Sequence, residues 1–404
     1  MSVWKLAWRS IWRNARRTLV TVAAMAFALW VMVLYSGIVE GYLMSMERDV
    51  LDFEVGELQV AHPAYRDDPS LYNLLEDSDA AIAALEAAGF RVAPRLIGGG
   101  LAAHGPQSAG VMLRGIDVAR DGATLRVSER LAVGNWLDPS DPKGVVLGRR
   151  LARTLGATPG AELVVLSQGT DGAMANDLYT VRGVLGTVAD ATDRTAIFMV
   201  EQAFRDLMVV PTATHMLILQ GPVGSTLDEA RASASALLPG AEVRTWRQLM
   251  PIVAQMLDGT KALIFFVFFI VYLAIGILVL NAMLMAVFER IREFGVLKAI
   301  GASPGLVLSM ILAETALQLA LAISIGLLLA IPAGVYMSTV GLNLAGLSGT
   351  SVVGLSLPPR WIASFSPASV AGPVVILVIM VAMAVIYPAL KAALIRPVQA
   401  MRTH

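Results

Sequence analysis

The chain has no cysteine, which excludes a disulfide, a thiolate nucleophile and a cysteine-ligated metal. Histidine is scarce. His62, His104, His215 and His404 are the full set, and no two stand at the close spacing of a helical zinc motif. No GxxxxGK[ST] phosphate loop occurs anywhere, so the chain is not expected to hydrolyse ATP itself. Charge is also thin: Asp, Glu, Lys and Arg make up 15% and hydrophobic residues 56%, against a usual charged share of about 25%. The shortfall is local. Four stretches are nearly free of charge and reach the roughly 20 apolar residues needed to cross a bilayer.

What charge there is has been sorted. Met44 to Thr260 carries 27 acidic and 18 basic residues, a net of −9, and the remainder carries 4 acidic and 13 basic, a net of +9. The basic residues gather beside the apolar runs, where anionic lipid head groups favour them. No basic cluster stands out in the middle of the chain, so nucleic acid is not an expected partner. The acidic residues there lack a recognisable ligand spacing and read as a solvated surface rather than a metal or hydrolase site.

These patterns predict a membrane α-helical protein with four transmembrane helices and an inserted α+β extracytoplasmic domain. Residues 1–16 read as an amphipathic helix lying on the membrane: Trp4, Trp8 and Trp12 recur every four residues, with Lys5, Arg9 and Arg13 beside them. The first span is expected at 17–43. The run Leu19 to Val39 is long for a cleaved signal peptide, so a retained span is expected. Residues 44–258 form the outer domain, with mixed helices and strands in two lobes; Gly98, Gly99 and Gly100 are expected to interrupt its strands between Arg91 and Ile116. The second span covers 259–288, with Thr245 to Asp258 as an outward stalk that Pro251 could kink. The third covers 304–336, where Pro332 permits a kink or an end. Residues 337–367 form an outer loop, interfacial or re-entrant. The fourth span covers 368–388 and a tail 389–404.

Topology follows from the positive residues. Lys5, Arg9, Arg13, Arg16 and Arg17 flank the first span, Arg290, Arg292 and Lys298 join the second to the third, and Lys391, Arg396 and Arg402 follow the fourth. The loop between the third and fourth spans has only Arg360. Both termini and the link 289–303 are therefore expected in the cytoplasm and the acidic domain outside.

The link reads ERIREFGVLKAIGAS. Glu289, Arg292, Glu293 and Lys298 supply ion-pairing groups; Phe294, Val296, Leu297 and Ile300 supply apolar contact; Gly295 and Gly301 allow close backbone approach or a helix end. A short amphipathic helix joined to two spans can pass force from a partner into the membrane, although a solvated turn uses the same residues. Glu314 lies inside the third span, where an ionised carboxylate is costly unless paired or solvated. Asn281, in the second span, suits a helix-to-helix hydrogen bond. Glu40 ends the first span, at the interface or an outer entrance.

Three segments resemble one family: LAWRSIWRNARRT (Leu6 to Thr18), ERIREFGVLKAIGAS (Glu289 to Ser303) and YPALKAALIRPVQAM (Tyr387 to Met401). Together with the order of the spans, they resemble the ABC transporter permeases that include the lipoprotein-releasing, macrolide-exporter and cell-division permeases. The layout is most similar to the lipoprotein-releasing members. The resemblance implies that Glu289, Arg292, Glu293, Phe294, Gly295, Leu297, Lys298 and Gly301 belong to a coupling helix that docks on a separate ATPase, and that residues 1–14 form an elbow helix. It implies two cytoplasmic ABC ATPase subunits holding ATP and Mg, none of it bound by this chain, and a second identical or related permease chain. A fused ATPase domain like the macrolide exporter's is absent, which favours a separate subunit. The expected function is ATP-driven extraction or export of a lipoprotein or other amphipathic substrate across the inner membrane, with Glu40, Asn281 and Glu314 as transport-path or packing groups. A non-transporting signalling subunit acting on an outer partner, and a drug or peptide efflux permease, are the other readings.

Overall fold

The structure is a computed structural model and describes residues 3–13, 15–210, 212–343, 351–352, 355–356 and 360–394. His404, Arg396 and Arg402, with most of the expected tail and part of the expected outer loop, lie outside the described residues. The chain divides into two compact units, one holding 1–44, 256–343 and 360–404, the other 45–255 and 344–359.

The first unit is built from helices long and apolar enough to cross a membrane. Among the described residues there are four: Ala15–Val50, continued by a π-helical turn Leu51–Val55, Pro251–Glu289, Pro304–Thr339 and Pro367–Leu394. A shorter helix, Val3–Arg13, precedes them, and a link helix, Ile291–Ala299, joins the second to the third. The prolines act otherwise than expected. Pro251 is the first residue of the second span, where its missing N–H costs nothing. The helix break falls before it, after a separate turn Trp246–Leu249. Pro332 lies inside the unbroken third span, and Pro373 and Pro388 inside the fourth. Membrane helices tolerate this because neighbouring groups take up the freed carbonyls.

Buried side chains of all four spans form one core, with Met25 and Leu29 from the first, Tyr272 from the second, Ala322 from the third and Leu377 from the fourth. Small residues set the closest approach. A Cβ on Gly326 would lie 3.0 Å from the Ala26 carbonyl oxygen, so any larger residue there would push the third and first spans apart by a few tenths of an ångström. At the other end of the bundle the segment leading into the fourth span straps the first and third together. The Ser364 N–H donates to the Gly37 carbonyl at 2.9 Å and the Ala363 N–H to that of Met337 at 3.2 Å. Phe365 is wedged between Gly37, where a Cβ would overlap its ring, and Gly334, where one would come within 3.1 Å. A short pairing of Leu342–Asn343 with Arg360–Trp361 closes the strap.

The second unit is an α+β domain built on a ten-stranded sheet. Its strands are β1 (Leu58–Ala61), β2 (Arg91–His104), β3 (Gln107–Ile116), β4 (Leu131–Gly134), β5 (Gly144–Leu147), β6 (Glu162–Gln168), β7 (Met174–Leu185), β8 (Ala196–Val200), β9 (Met216–Gln220) and β10 (Glu242–Thr245). Pairing runs from β2 through β3, β8, β5 and β7 to β6, and β6 returns to β2, so six strands close into a barrel with no free edge along that circuit. The amino-terminal end of β2 belongs to a second lobe, in which it pairs with β9, and β1 lies between β9 and β10. Helices Ser78–Ala87 and Leu227–Leu237 cover that lobe, and the latter opens on a capping box between Thr226 and Glu229.

The expected interruption at Gly98–Gly100 does not occur. β2 runs through all three glycines in register with β3 and turns at Gly105, where φ is +56°. Two of the three serve packing: a Cβ on Gly98 would approach Phe204 and Met208, and one on Gly100 would meet the Leu166 carbonyl of β6, while Gly99 faces open space. Phe204 is fully buried in the barrel core.

Candidate functional site: the link between the second and third spans

The link is held by its own sequence. Gly301 takes a left-handed φ of +101° and lets the chain leave the link helix. Ser303 then caps the third span by accepting from the Leu306 N–H, with Pro304 in the first turn.

Four residues tie the helix inward. Phe294 is 1% exposed and belongs to the core of the spans, beside the equally buried Gly295. Arg290 lies over the Phe294 ring at 5.1 Å and donates to Glu314 at 2.9 Å. Lys298 donates to the Ala393 carbonyl at the end of the fourth span, 2.6 Å away. Leu297 is half-buried against the same core.

Two further ion pairs reach the amino-terminal part of the chain: Arg13 to Glu293 at 2.9 Å and Arg17 to Glu289 at 2.7 Å. Glu293 also accepts from Arg290 at 3.2 Å. Partial burial works to raise the Glu293 carboxyl, but the hydrogen bonds from Arg13 and Arg290 outweigh it and hold the group below the usual carboxylate range. The amino-terminal helix and the link therefore stand at the same end of the span bundle. Trp4, Trp8 and Trp12 are all exposed on that helix.

The outward face holds only part of the set of link residues named from the sequence. Val296 is 52% and Ile300 76% exposed. They stand four residues apart on one face, with Arg292, Ala299 and Gly301 also exposed. Of the residues expected to meet a partner, Phe294 and Gly295 point into the bundle, because an apolar ring and a side-chain-free backbone fill the space under Arg290. The exposure of Ile300 carries a signal that the residue pattern alone held: an apolar side chain at a helix end, one turn beyond Val296.

The three polar groups of the spans have three different settings. Glu314 is buried and ion-paired with Arg290, their side chains 7% and 12% exposed. Asn281 is exposed on the second span, and no hydrogen bond to it is found among the described residues. Glu40 is half-buried in the first span. The structure thus joins Glu289, Glu293, Lys298 and Glu314 into one end of the bundle and leaves Asn281 and Glu40 apart from it. Among the described residues no group of His, Asp or Glu could hold a metal ion.

Residues 18–237 match the MacB-like periplasmic core domain, just over half of the chain, and residues 265–396 match the FtsX-like permease C-terminal domain. The chain belongs to the FtsX/MacB family of ABC transporter permeases. Solved structures similar to this permease include the periplasmic region of MacB from Actinobacillus actinomycetemcomitans, at 13% identity over 49% of this chain and 92% of that one, with a TM-score of 0.38. Another is the extracellular domain of the noncanonic ABC-type transporter YknZ from Gram-positive bacteria, at 12% identity over 47% and 99%, with a TM-score of 0.35. No curated protein matches the permease over its sequence. Permease subunits of this family are the non-catalytic membrane component, and ATP hydrolysis belongs to an ATPase partner. The acidic 45–255 unit is accordingly its periplasmic domain.

Proposed function

We propose that this permease couples ATP hydrolysis on a separate ATPase to extraction or export of a lipoprotein or another amphipathic molecule. Two cytoplasmic ATPase subunits dock on the link helices of two permease chains in the inner membrane, with both termini on the ATPase side. The observation that carries this reading is the two-sided character of the link. Among the described residues nothing covers the outward-facing Val296, Ile300 and Arg292, while Phe294, Arg290 and Lys298 fasten the same helix to the third and fourth spans. A helix fastened on one face and open on the other is suited to take up a push and pass it into the bundle.

Asn281 supports the second permease chain. An amide on an outward face of a membrane helix is costly in hydrocarbon and is relieved by a hydrogen bond to another helix. A groove of about 280 Å³ between the first, third and fourth spans supports a chain-like, lipid-anchored cargo. Val33, Leu327, Ile331, Gly334 and Phe365 line it, and it falls just short of the roughly 300–1,000 Å³ of pockets for drug-sized bodies.

Replacing Ile300 by Asp in the full chain and purifying from native membrane tests the docking. Loss of the co-purifying ATPase with the spans still folded is the expected result. Undiminished ATPase recovery and undiminished coupling of hydrolysis to cargo release would refute it. Identification of the bound molecule decides between cargo classes: a lipoprotein or lipid supports transport, and a soluble outer hydrolase in its place supports the signalling role.

A further inference from the structure

A cavity of about 590 Å³ opens where the first span begins, lined by Arg13, Ala15, Arg16, Arg17, Val20 and Glu289. The feature is separate from the outward face of the link and stands whether or not that face docks an ATPase. Three guanidinium groups meet there against one carboxylate. Arg13 and Arg17 are each occupied by one glutamate of the link, Glu293 and Glu289. Arg16 is exposed and has no ion-pair partner among the described residues. The site therefore carries surplus positive charge, concentrated at Arg16 and shared in part by its neighbours. Below the charges the lining turns apolar, with Ala15 and an exposed Val20 on the first turns of the span. Depth is marked independently: Trp4, Trp8 and Trp12 on the adjoining helix are exposed, and tryptophan settles at the headgroup layer.

The geometry points to a seat for an anionic phospholipid. The phosphate is held by Arg16 with help from Arg13 and Arg17, and the glycerol and upper acyl chain rest on Val20. Guanidinium forks bind phosphate oxygens in pairs, and the apolar floor distinguishes a lipid from a free phosphate. Arg13 and Arg17 are shared between the headgroup and the link, so a bound lipid and the glutamates compete for them, and the lipid composition of the leaflet bears on how tightly the link is tied to the amino-terminal helix.

The test uses the full chain in nanodiscs of phosphatidylcholine with a minority of phosphatidylglycerol, followed by native mass spectrometry of the lipids that stay bound. The expected result is selective retention of phosphatidylglycerol, reduced about fivefold by Arg16→Gln, the factor one arginine contributes at a membrane surface, and largely kept by Arg16→Lys. The double variant Glu289→Gln with Glu293→Gln releases two arginines and is expected to raise retention. Equal retention of the two lipids by the parent, or unchanged retention in Arg16→Gln, would overturn the assignment. Displacement of the bound lipid by millimolar glycerol 3-phosphate would overturn it too, since a soluble phosphate would then be the better occupant.

Discussion

Replacing Glu314 by Gln removes one charge from the most buried ion pair of the span bundle and keeps the side-chain shape. The Arg290–Glu314 pair is 2.9 Å long, with both side chains nearly covered. Charge attraction at that distance is roughly 6 kcal/mol at an effective dielectric of about 20, and most of it is offset by the cost of taking both ions out of water. Removing one partner of a buried pair costs about 3–5 kcal/mol, because the other charge stays behind. Here the cost falls toward the low end. Arg290 keeps Glu293 at 3.2 Å and the Phe294 ring at 5.1 Å, so about 3 kcal/mol is expected. Glu293→Gln serves as the control. Its carboxylate is nearly half exposed, and pairs of that kind are worth under about 1 kcal/mol. Thermal unfolding of the full chain in nanodiscs, followed by tryptophan fluorescence, should rank Glu314→Gln several degrees below both the parent and Glu293→Gln. A double-mutant cycle with Arg290→Gln isolates the pair. If Glu314→Gln melts with the parent, or if the cycle gives no interaction energy, the carboxylate does not hold the link to the third span and the fastening described for the site is wrong.

Gly37→Ala puts a methyl group into the Phe365 ring; overpacking of this kind costs about 1–3 kcal/mol, and trimming the wedge with Phe365→Leu in the same chain should recover part of the lost thermal stability, giving a non-additive pair. In the outer domain, Asp121→Asn removes the charge facing the buried Arg95 and is expected to cost about 3 kcal/mol in chemical denaturation, whereas Glu86→Gln at the exposed Arg120 pair costs under about 1 kcal/mol. His215 is fully buried and its Nδ1 accepts the Ile97 N–H at 3.1 Å; burial pushes the imidazole down to about 4 from 6.5. The unfolded chain then binds the extra proton between those values, so stability is full above about pH 6.5 and falls by up to about 3 kcal/mol as pH drops toward 4. His215→Gln keeps an acceptor and should flatten that slope in pH-dependent denaturation.

The spans were legible in the sequence because a bilayer leaves few choices: uncharged runs long enough to cross it, with arginine at their ends, read directly as membrane helices. The mixed character of the outer domain followed from short elements with differing periods. Other features were hidden for identifiable reasons. Gly98–Gly100 read as a break because glycine is permissive in isolation, yet its neighbours in the barrel, Phe204 and the Leu166 carbonyl, are distant in sequence. Pro332 read as a kink or an end, since a sequence does not show which carbonyls a neighbouring helix will satisfy. At the link, composition supplied charged and apolar groups together without saying which face each takes. Phe294 and Ile300 look interchangeable in the string, and it is packing into the core of the spans that buries one and leaves the other exposed.

That division of faces constrains how a load on the link would travel. The ties from the link to the amino-terminal helix and first span, Arg13–Glu293 and Arg17–Glu289, are partly solvated pairs that exchange at low cost. Its ties to the third and fourth spans are of another kind: a buried aromatic ring, a covered ion pair and a lysine bonded to a backbone carbonyl. Displacing Ile300 toward the membrane would break the first set before the second. The third and fourth spans would then move with the link. The first span is held to the third at Gly326 in mid-bundle and, through the Phe365 strap, near Gly37 and Gly334. A push that enters the bundle through the third and fourth spans therefore reaches the first through glycine contacts with no side chain to yield. Stiffness at those glycines, rather than strength at the surface pairs, is what such transmission requires.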